Sequence, residues 1–202
     1  MRLLSSPSSP YVRKARLAAH IKGLINTIEI VPTDTRAAEN PALAAANPLS
    51  KIPALVLDDG TTIFDSAVIC EYLDAQVAHP VLFPGEGAAR WRALTLGALA
   101  DGVLDAALLL VYEKRFRPEE KWHLDWMARQ QAKVDQALRH LEQAPPEWTN
   151  HPDYGHLTVA CALGYLDLRQ GGAWRTDHPN LVGWLNRYAD AVPAFAETAP
   201  ME

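Results

Sequence analysis

Every strand signal in this 202-residue chain lies on one side of a single break. The break is His79-Pro80-Val81-Leu82-Phe83-Pro84-Gly85, where two prolines and a glycine mark a connection rather than an element. Before it, short β-branched and apolar runs alternate with helical periodicity. After it, only helical patterns remain. Layer architectures follow such patterns, so the division predicts an α/β domain over residues 1–78 and an all-α helical bundle domain over residues 86–202. The chain is long enough to give two domains a core.

The first half reads β-α-β-α-β-β-α. Leu3-Leu4 is a short strand. Pro10 to Lys22 is a helix, opened by Ser9 with proline at its first position and closed by Gly23. Its apolar residues fall on two sides, Val12-Ala15-Ala19 and Leu17-Ile21, which predicts a helix wedged between the sheet and something else. Thr27-Ile28-Glu29-Ile30-Val31 is a β-branched strand. Residues 35–46 are Ala-rich with Pro41 inside, which suggests a short, broken helix. Ala54 to Leu57 and Thr61 to Phe64 flank Asp59-Gly60, a hairpin with a type I′ turn signal. Asp65 to Gln76 is a helix with Val68, Ile69, Tyr72 and Leu73 on its core side. The β-α-β start requires a right-handed crossover.

In the second half a long helix spans about Ala88 to Phe116. Pro118 restarts a second, whose core stripe is Met127, Val134, Leu138 and Leu141. A proline-marked loop covers Gln143 to Pro152. Asp153 to Arg169 is dense in apolar residues and therefore central. His178-Pro179-Asn180-Leu181 opens a further helix, and Pro193-Ala194-Phe195 a last short one.

Hydrophobic residues make up 49% of the chain and charged residues 21%, a globular profile. The formal net charge of −5 argues against nucleic acid as a partner, because phosphate binding needs a basic patch. The run Arg13-Lys14-Ala15-Arg16 is short and reads as the solvated face of a helix. Cys70 and Cys161 fit neither a zinc nor a CxxC spacing and read as buried small hydrophobes. The seven histidines form no metal-spaced pair, so no metal is expected. Met1-Arg2-Leu3-Leu4 leads at once into serines and prolines, unlike a signal peptide. No apolar run reaches the ~18 residues needed to span a bilayer. The expectation is a cytoplasmic chain with no membrane partner.

Three segments present unpaired backbone and hydroxyl groups. Ser8-Ser9-Pro10 is first. A serine before a helix that starts with proline is an N-cap. The same helix end projects free N–H groups and partial positive charge, so it favours an anion such as a thiolate. Lys51-Ile52-Pro53 is second, with a proline at a strand start. Asp65-Ser66 is third, twelve residues beyond Pro53 and at the start of a helix. Both residues suit a cap, and the same geometry suits a carboxylate ligand. Asp101 and Asp105 stand four apart in an otherwise apolar helix, with no further acid or histidine near in sequence to complete a metal site. Asp153-Tyr154-Gly155-His156 opens the central helix, with His156 where a capping box would carry an acid. The six tryptophans, 91, 122, 126, 148, 174 and 184, read as core and cap packing.

In their order and spacing these segments resemble the glutathione S-transferase family. The element order of the first half is that of a thioredoxin-like domain. Ser9-Pro10-x-Val12-Arg13-Lys14, Asn47-Pro48-Leu49-x-Lys51, Ala100-Asp101-Gly102 and Gly164-Tyr165-Leu166 are similar to a bacterial YibF-like subgroup of that family. The resemblance implies an enzyme that binds glutathione as co-substrate, stabilises its thiolate and transfers it to a small electrophile or a peroxide. It puts the activating residue at Ser8, or at Ser9 by analogy with classes whose active cysteine directly precedes the proline. It implies a cis proline at Pro53, with Ile52 holding the cysteinyl unit and Lys51 near the glycyl carboxylate. Ser66 would bind the γ-glutamyl carboxylate and Asp65 its ammonium, with Asp101 reaching that ammonium from the other subunit of a homodimer. Some of the tryptophans would line an apolar second-substrate pocket. The rival from another class is a binding or regulatory protein on the same fold, like the stringent-starvation-type proteins.

Overall fold

The alternating half of the sequence builds one four-stranded mixed sheet. In this computed structural model, which describes residues 1–36, 39–148 and 150–201, the strands are β1 (Arg2–Ser5), β2 (Glu29–Pro32), β3 (Ala54–Val56) and β4 (Thr62–Ile63). Their order is β2-β1-β3-β4. β1 runs parallel to β2, with Leu3 opposite Ile30. β3 runs antiparallel to β1, with Leu4 opposite Ala54, and β4 antiparallel to β3, with Leu55 opposite Ile63. The sheet belongs to a compact unit formed by Met1–Pro84 and Val192–Glu202. Residues 192–202, expected from the sequence in the helical half, fall in this unit.

α1 (Pro10–Ile21) is the crossover between β1 and β2. It is buried on both sides, as its two apolar stripes predict: Val12, Ala15, Leu17, Ala18 and Ala19 are all sealed. One side packs on α3 (Ser66–Gln76), the other on the short α8 (Ala194–Glu197). Arg13 and Lys14 do not form a solvated face. Both are buried, Arg13 against Phe195 of α8.

Several local expectations are corrected. Thr27 does not start a strand; it closes a 3-10 turn (Ile25–Thr27) by donating from both N and Oγ1 to the Leu24 carbonyl. Pro41 does not break the Ala-rich helix but opens it: α2 (Pro41–Ala46) is capped by Asn40 Oδ1, which accepts from Leu43 N at 3.0 Å. Of the predicted stretch 35–46, residues 37 and 38 lie outside the described residues. The hairpin turn is not type I′. Gly60 alone has positive φ, at 87°, while its N–H bonds back to Leu57 O and Leu57 N to Thr61 O. That is the three-residue loop with a glycine bulge. On α3, Ile69, Cys70 and Leu73 face the core, but Val68 is half exposed, because the buried stripe runs through Ser66 instead.

The second unit, Gly85–Ala191, is helical. It contains α4 (Gly87–Phe116), α5 (Leu124–Gln143), α6 (Tyr154–Gln170) and α7 (Pro179–Ala191). α6 is central, buried without interruption from Tyr154 to Leu166. Gly97 and Gly155 let α4 and α6 approach. A Cβ on Gly97 would collide with the Tyr154 ring, and one on Gly155 would lie 2.8 Å from the Ala93 carbonyl oxygen. α5 starts six residues later than Pro118 suggests, capped by His123 Nδ1, which accepts from Trp126 N. Its stripe of Val134, Leu138 and Leu141 is buried as predicted, with Met127 partly so.

The capping box of α6 is complete despite the missing acid. His156 N donates to Asp153 Oδ1 at 3.2 Å, and His156 Nδ1 lies 3.2 Å from Asp153 N and 2.6 Å from Asp153 Oδ1. Imidazole reaches the N-cap amide much as a glutamate side chain does. Trp148 meets His156 and Trp184 edge-on, so the cap is also an aromatic cluster.

Against the expectation of no span-length apolar stretch, α4 has a mean hydropathy of 1.9 over 18 residues, long and apolar enough by composition to cross a membrane. Only a third of that window is buried within the chain.

Candidate functional site

Strand register brings the three singled-out segments to one end of the sheet. β1 ends at Ser5 and passes into the Ser8-Ser9 turn. β3 begins just after Pro53, and Ala54 lies opposite Leu4. β4 ends at Ile63 beside Leu55, so Phe64-Asp65-Ser66 emerges at the same end. Adjacent strands are ~4.8 Å apart. The segments following β1, preceding β3 and following β4 therefore span roughly 10 Å, about the length of three extended residues.

The turn after β1 is closed by Ser9 N–H donating to Ser6 O at 3.1 Å. Ser9 caps α1, its Oγ accepting from Val12 N at 3.3 Å. That bond uses the oxygen and leaves the hydroxyl proton available to donate. Ser8 is half buried, and among the described residues its hydroxyl has no hydrogen-bond partner.

The segment before β3 is held by Asn47, which is 3% exposed. Its Oδ1 accepts from Leu49 N at 3.0 Å, and its Nδ2 donates to Lys51 O at 2.9 Å. Ser50 N donates to Asn47 O at 2.7 Å and Ser50 adopts a φ of 51°. Ile52-Pro53 is cis. Among the described residues the Ile52 N–H and C=O are not hydrogen-bonded. The Ile52 side chain packs with Phe64, Val31 and Val56 on a buried cluster of Leu4, Leu43, Ala46 and Ala54. Leu4 and Ala54 of this cluster lie opposite each other at the end of the sheet the segments share. Lys51 is exposed.

Asp65 is the N-cap of α3, its Oδ1 accepting from Ala67 N at 2.7 Å. Ser66 is 2% exposed, and its Oγ is 3.5 Å from the same carboxylate oxygen, a long contact that holds the hydroxyl weakly. Asp65 and Ser66 therefore play different parts. The aspartate caps the helix through Oδ1 alone, and the serine sits inside the first turn.

Asp101 lies in the second unit, on α4, where its Oδ2 accepts from Tyr154 OH at 3.2 Å. Asp105 is exposed. On α6, burial pushes the Tyr165 phenol above its ordinary value of 10.0, opposed by Arg169, so Tyr165 stays neutral. Among the described residues no group of three or more His, Cys, Asp or Glu side chains could hold a metal ion.

Two contributors were missed by sequence reasoning. The sequence assigns Asn47 no role of its own, although an asparagine ahead of a proline is an ordinary turn signal. Arg13 was read as a surface charge. Its guanidinium instead lies over the Phe195 ring at 3.9 Å and donates to Phe195 O at 2.7 Å, a contact between positions 182 apart that no local pattern announces.

The chain is similar to known proteins in sequence and in fold. Residues 8–76 match the glutathione S-transferase N-terminal domain and residues 125–187 its C-terminal domain. The GST-like protein YibF of Escherichia coli is 34% identical over 99% of this chain and 98% of its own. A glutathione transferase family member from Pseudomonas fluorescens Pf-5, solved with bound glutathione, is 42% identical. It superposes with a TM-score of 0.93 over 100% of this chain and 99% of that one. A glutathione S-transferase from Methylobacillus flagellatus, also with glutathione bound, is 36% identical with a TM-score of 0.89 over 99% of each chain. The chain belongs to the glutathione S-transferase family.

Proposed function

We propose that this protein is a glutathione transferase that binds glutathione along the end of the sheet, stabilises its thiolate and transfers it to a small electrophile or a peroxide. The observation that carries the reading is the register-aligned row of the Ser8-Ser9 turn, the open Ile52 backbone and the start of α3. Its span matches an extended tripeptide. Ile52 N–H and C=O would pair with the cysteinyl unit as an added strand does. Lys51 would face the glycyl carboxylate. Ser66 and the first amides of α3 would take the γ-glutamyl carboxylate, with Asp65 on its ammonium. Asp101, oriented by Tyr154, would reach the ammonium in the neighbouring subunit of a homodimer, and the protein would act in the cytoplasm.

The sulfur then lies at the N-terminus of α1, whose partial positive charge favours the thiolate below the ~8.5 of a free thiol. A serine hydroxyl donates to it. In conjugation the sulfur lone pair forms the new bond to carbon, the leaving group departs with its electrons, and the thiol proton goes to solvent. With a peroxide the sulfur takes one oxygen as the alcohol leaves, and a second glutathione converts the sulfenic acid to the disulfide and water. Most of the rate enhancement comes from thiolate stabilisation and positioning.

Retention on immobilised glutathione, followed by conjugation to an aryl halide and reduction of an organic peroxide, tests the proposal. Retention with turnover of either substrate is expected. Failure to bind glutathione would overturn the reading, and binding without turnover across a broad electrophile panel would point to the binding or regulatory role.

A further inference from the structure

We infer that the segment Val192–Met201 is a strap that sets the geometry of the Ser8-Ser9 turn, with Arg13 as the positioning residue that anchors it. The inference rests on the proposed role of that turn. Arg13 is 4% exposed on α1, one turn after Ser9. Its Nη2 donates to Phe195 O at 2.7 Å, its Nε to Thr198 Oγ1 at 3.5 Å, and the guanidinium covers the Phe195 ring. Thr198 is itself sealed at 1% exposure, its Oγ1 donating to Ala194 O at 2.8 Å. The chain leaves this anchor toward the turn, and Met201 N–H donates to Pro7 O at 3.3 Å.

The last bond is the informative one. Pro7 C=O and Ser8 N–H belong to one peptide plane, so holding the carbonyl fixes the direction in which Ser8 leaves Pro7. The turn is then fixed at three points: by Ser9 N–H on Ser6 O, by Val12 N–H on Ser9 Oγ, and by Met201 N–H on Pro7 O. Only the third is supplied from a distant part of the chain. The Met201 side chain is 64% exposed, so the contact is made by backbone alone. Residue identity at 201 is therefore immaterial unless the residue lacks an N–H.

Met201→Pro removes that donor, Met201→Ala keeps it, and a chain ended after Ala199 removes it without adding a proline ring. Each is compared with the parent and with the Ser8→Ala/Ser9→Ala double variant. The measurements are glutathione affinity by calorimetry, thiolate absorbance of the glutathione complex against pH, turnover, and thermal unfolding. Met201→Pro and the shortened chain should raise the thiolate pKa and lower kcat by ~3- to 30-fold, short of the ~100-fold that a full 1 Å misplacement costs. Affinity and unfolding temperature should stay close to the parent, and Met201→Ala should behave as the parent. If the serine variant shifts the thiolate titration while both donor-less variants match the parent, the strap is refuted and the role of the turn stands. If none of the variants shifts it, the role of the turn falls and the strap with it. A lowered unfolding temperature with an unchanged thiolate titration would reduce the segment to a structural brace and likewise overturn the inference.

Discussion

Ser8 and Ser9 are adjacent and chemically alike, yet their surroundings separate them. Ser9 carries the cap of α1 through Val12 N, whereas the Ser8 hydroxyl has no partner among the described residues. Ser9→Ala should therefore lower stability by about 1 kcal/mol, the usual worth of a cap, and Ser8→Ala should not. One of the two should slow conjugation, by less than the ~10²–10³ of a lost oxyanion donor, because a diffuse sulfur anion gains less from one hydroxyl. Denaturant midpoints and kcat for each single variant separate the cap from the activator. If the double variant shows parental thiolate absorbance at every pH, both serines are helix caps only. Ser66 poses a related question. Its weak 3.5 Å contact leaves the hydroxyl free for a charged ligand group. Ser66→Ala should then weaken glutathione binding by ~1.5–3 kcal/mol, roughly ten- to a hundredfold in Kd. Unchanged affinity by calorimetry would remove Ser66 from the site. Caps such as Ser9 and Asp65 were legible in the sequence because a cap bonds within two or three residues. Asn47 was not, because its role depends on the loop closing through Ser50 in a left-handed conformation. Nor was Arg13, whose partners lie at the far end of the chain.

Among elements, the α4–α6 contact is the most constrained. Gly97→Ala would drive a methyl into the Tyr154 ring, an overpacking expected to cost about 1–3 kcal/mol. It would also displace the Tyr154 hydroxyl from Asp101. Chemical denaturation of the variant should give a lower midpoint with an unchanged slope; parental stability would mean the helices part without cost. α1 and α8 meet at His20, whose Nδ1 lies 3.5 Å from Glu197 Oε2. Burial lowers the His20 pKa from its ordinary 6.5 more than Glu197 raises it, and Arg16 lowers it further. The unfolded chain therefore takes up this proton first as pH falls. Stability should be level with respect to His20 above pH 6.5 and decline below it, toward the depressed native value. Between pH 7.5 and 5.5 the unfolding temperature of His20→Gln should fall less than that of the parent; equal falls would dismiss His20 as a contributor. Element identity was readable almost throughout because period and caps agree. Boundaries failed where a side chain intervened: Thr27 bonding back to Leu24, and His123 supplying a cap that histidine seldom provides. The Val68 stripe failed because neighbouring apolar positions on α3 offer two possible faces, and only packing against α1 and β3 selects one.

At the scale of the whole molecule, α4 is the element that the chain alone does not satisfy. Ala100, Val103, Leu104 and Ala107 are buried among the other helices of their unit. The opposite face repeats at heptad spacing through Ala98, Asp105 and Tyr112 and through Gly102, Leu109 and Phe116, all exposed. Tyr112 and Phe116 meet edge to face at 5.3 Å, and Trp91 adds a further apolar surface at the start of the helix. Asp105 interrupts this face, but beyond it Leu109, Tyr112 and Phe116 form an exposed apolar cluster of the kind that marks an interaction surface. A two-fold pairing of α4 with its copy buries like against like, which a single self-complementary face allows. The expected species is therefore a homodimer, sedimenting at twice 22.2 kDa. A double change, Leu109→Glu with Phe116→Glu, puts four carboxylates in the paired interface and should return the chain to 22.2 kDa with its helical content intact. A parent that sediments at 22.2 kDa at micromolar concentration would exclude the dimer, and a dimer undisturbed by both charges would place its interface elsewhere on the chain.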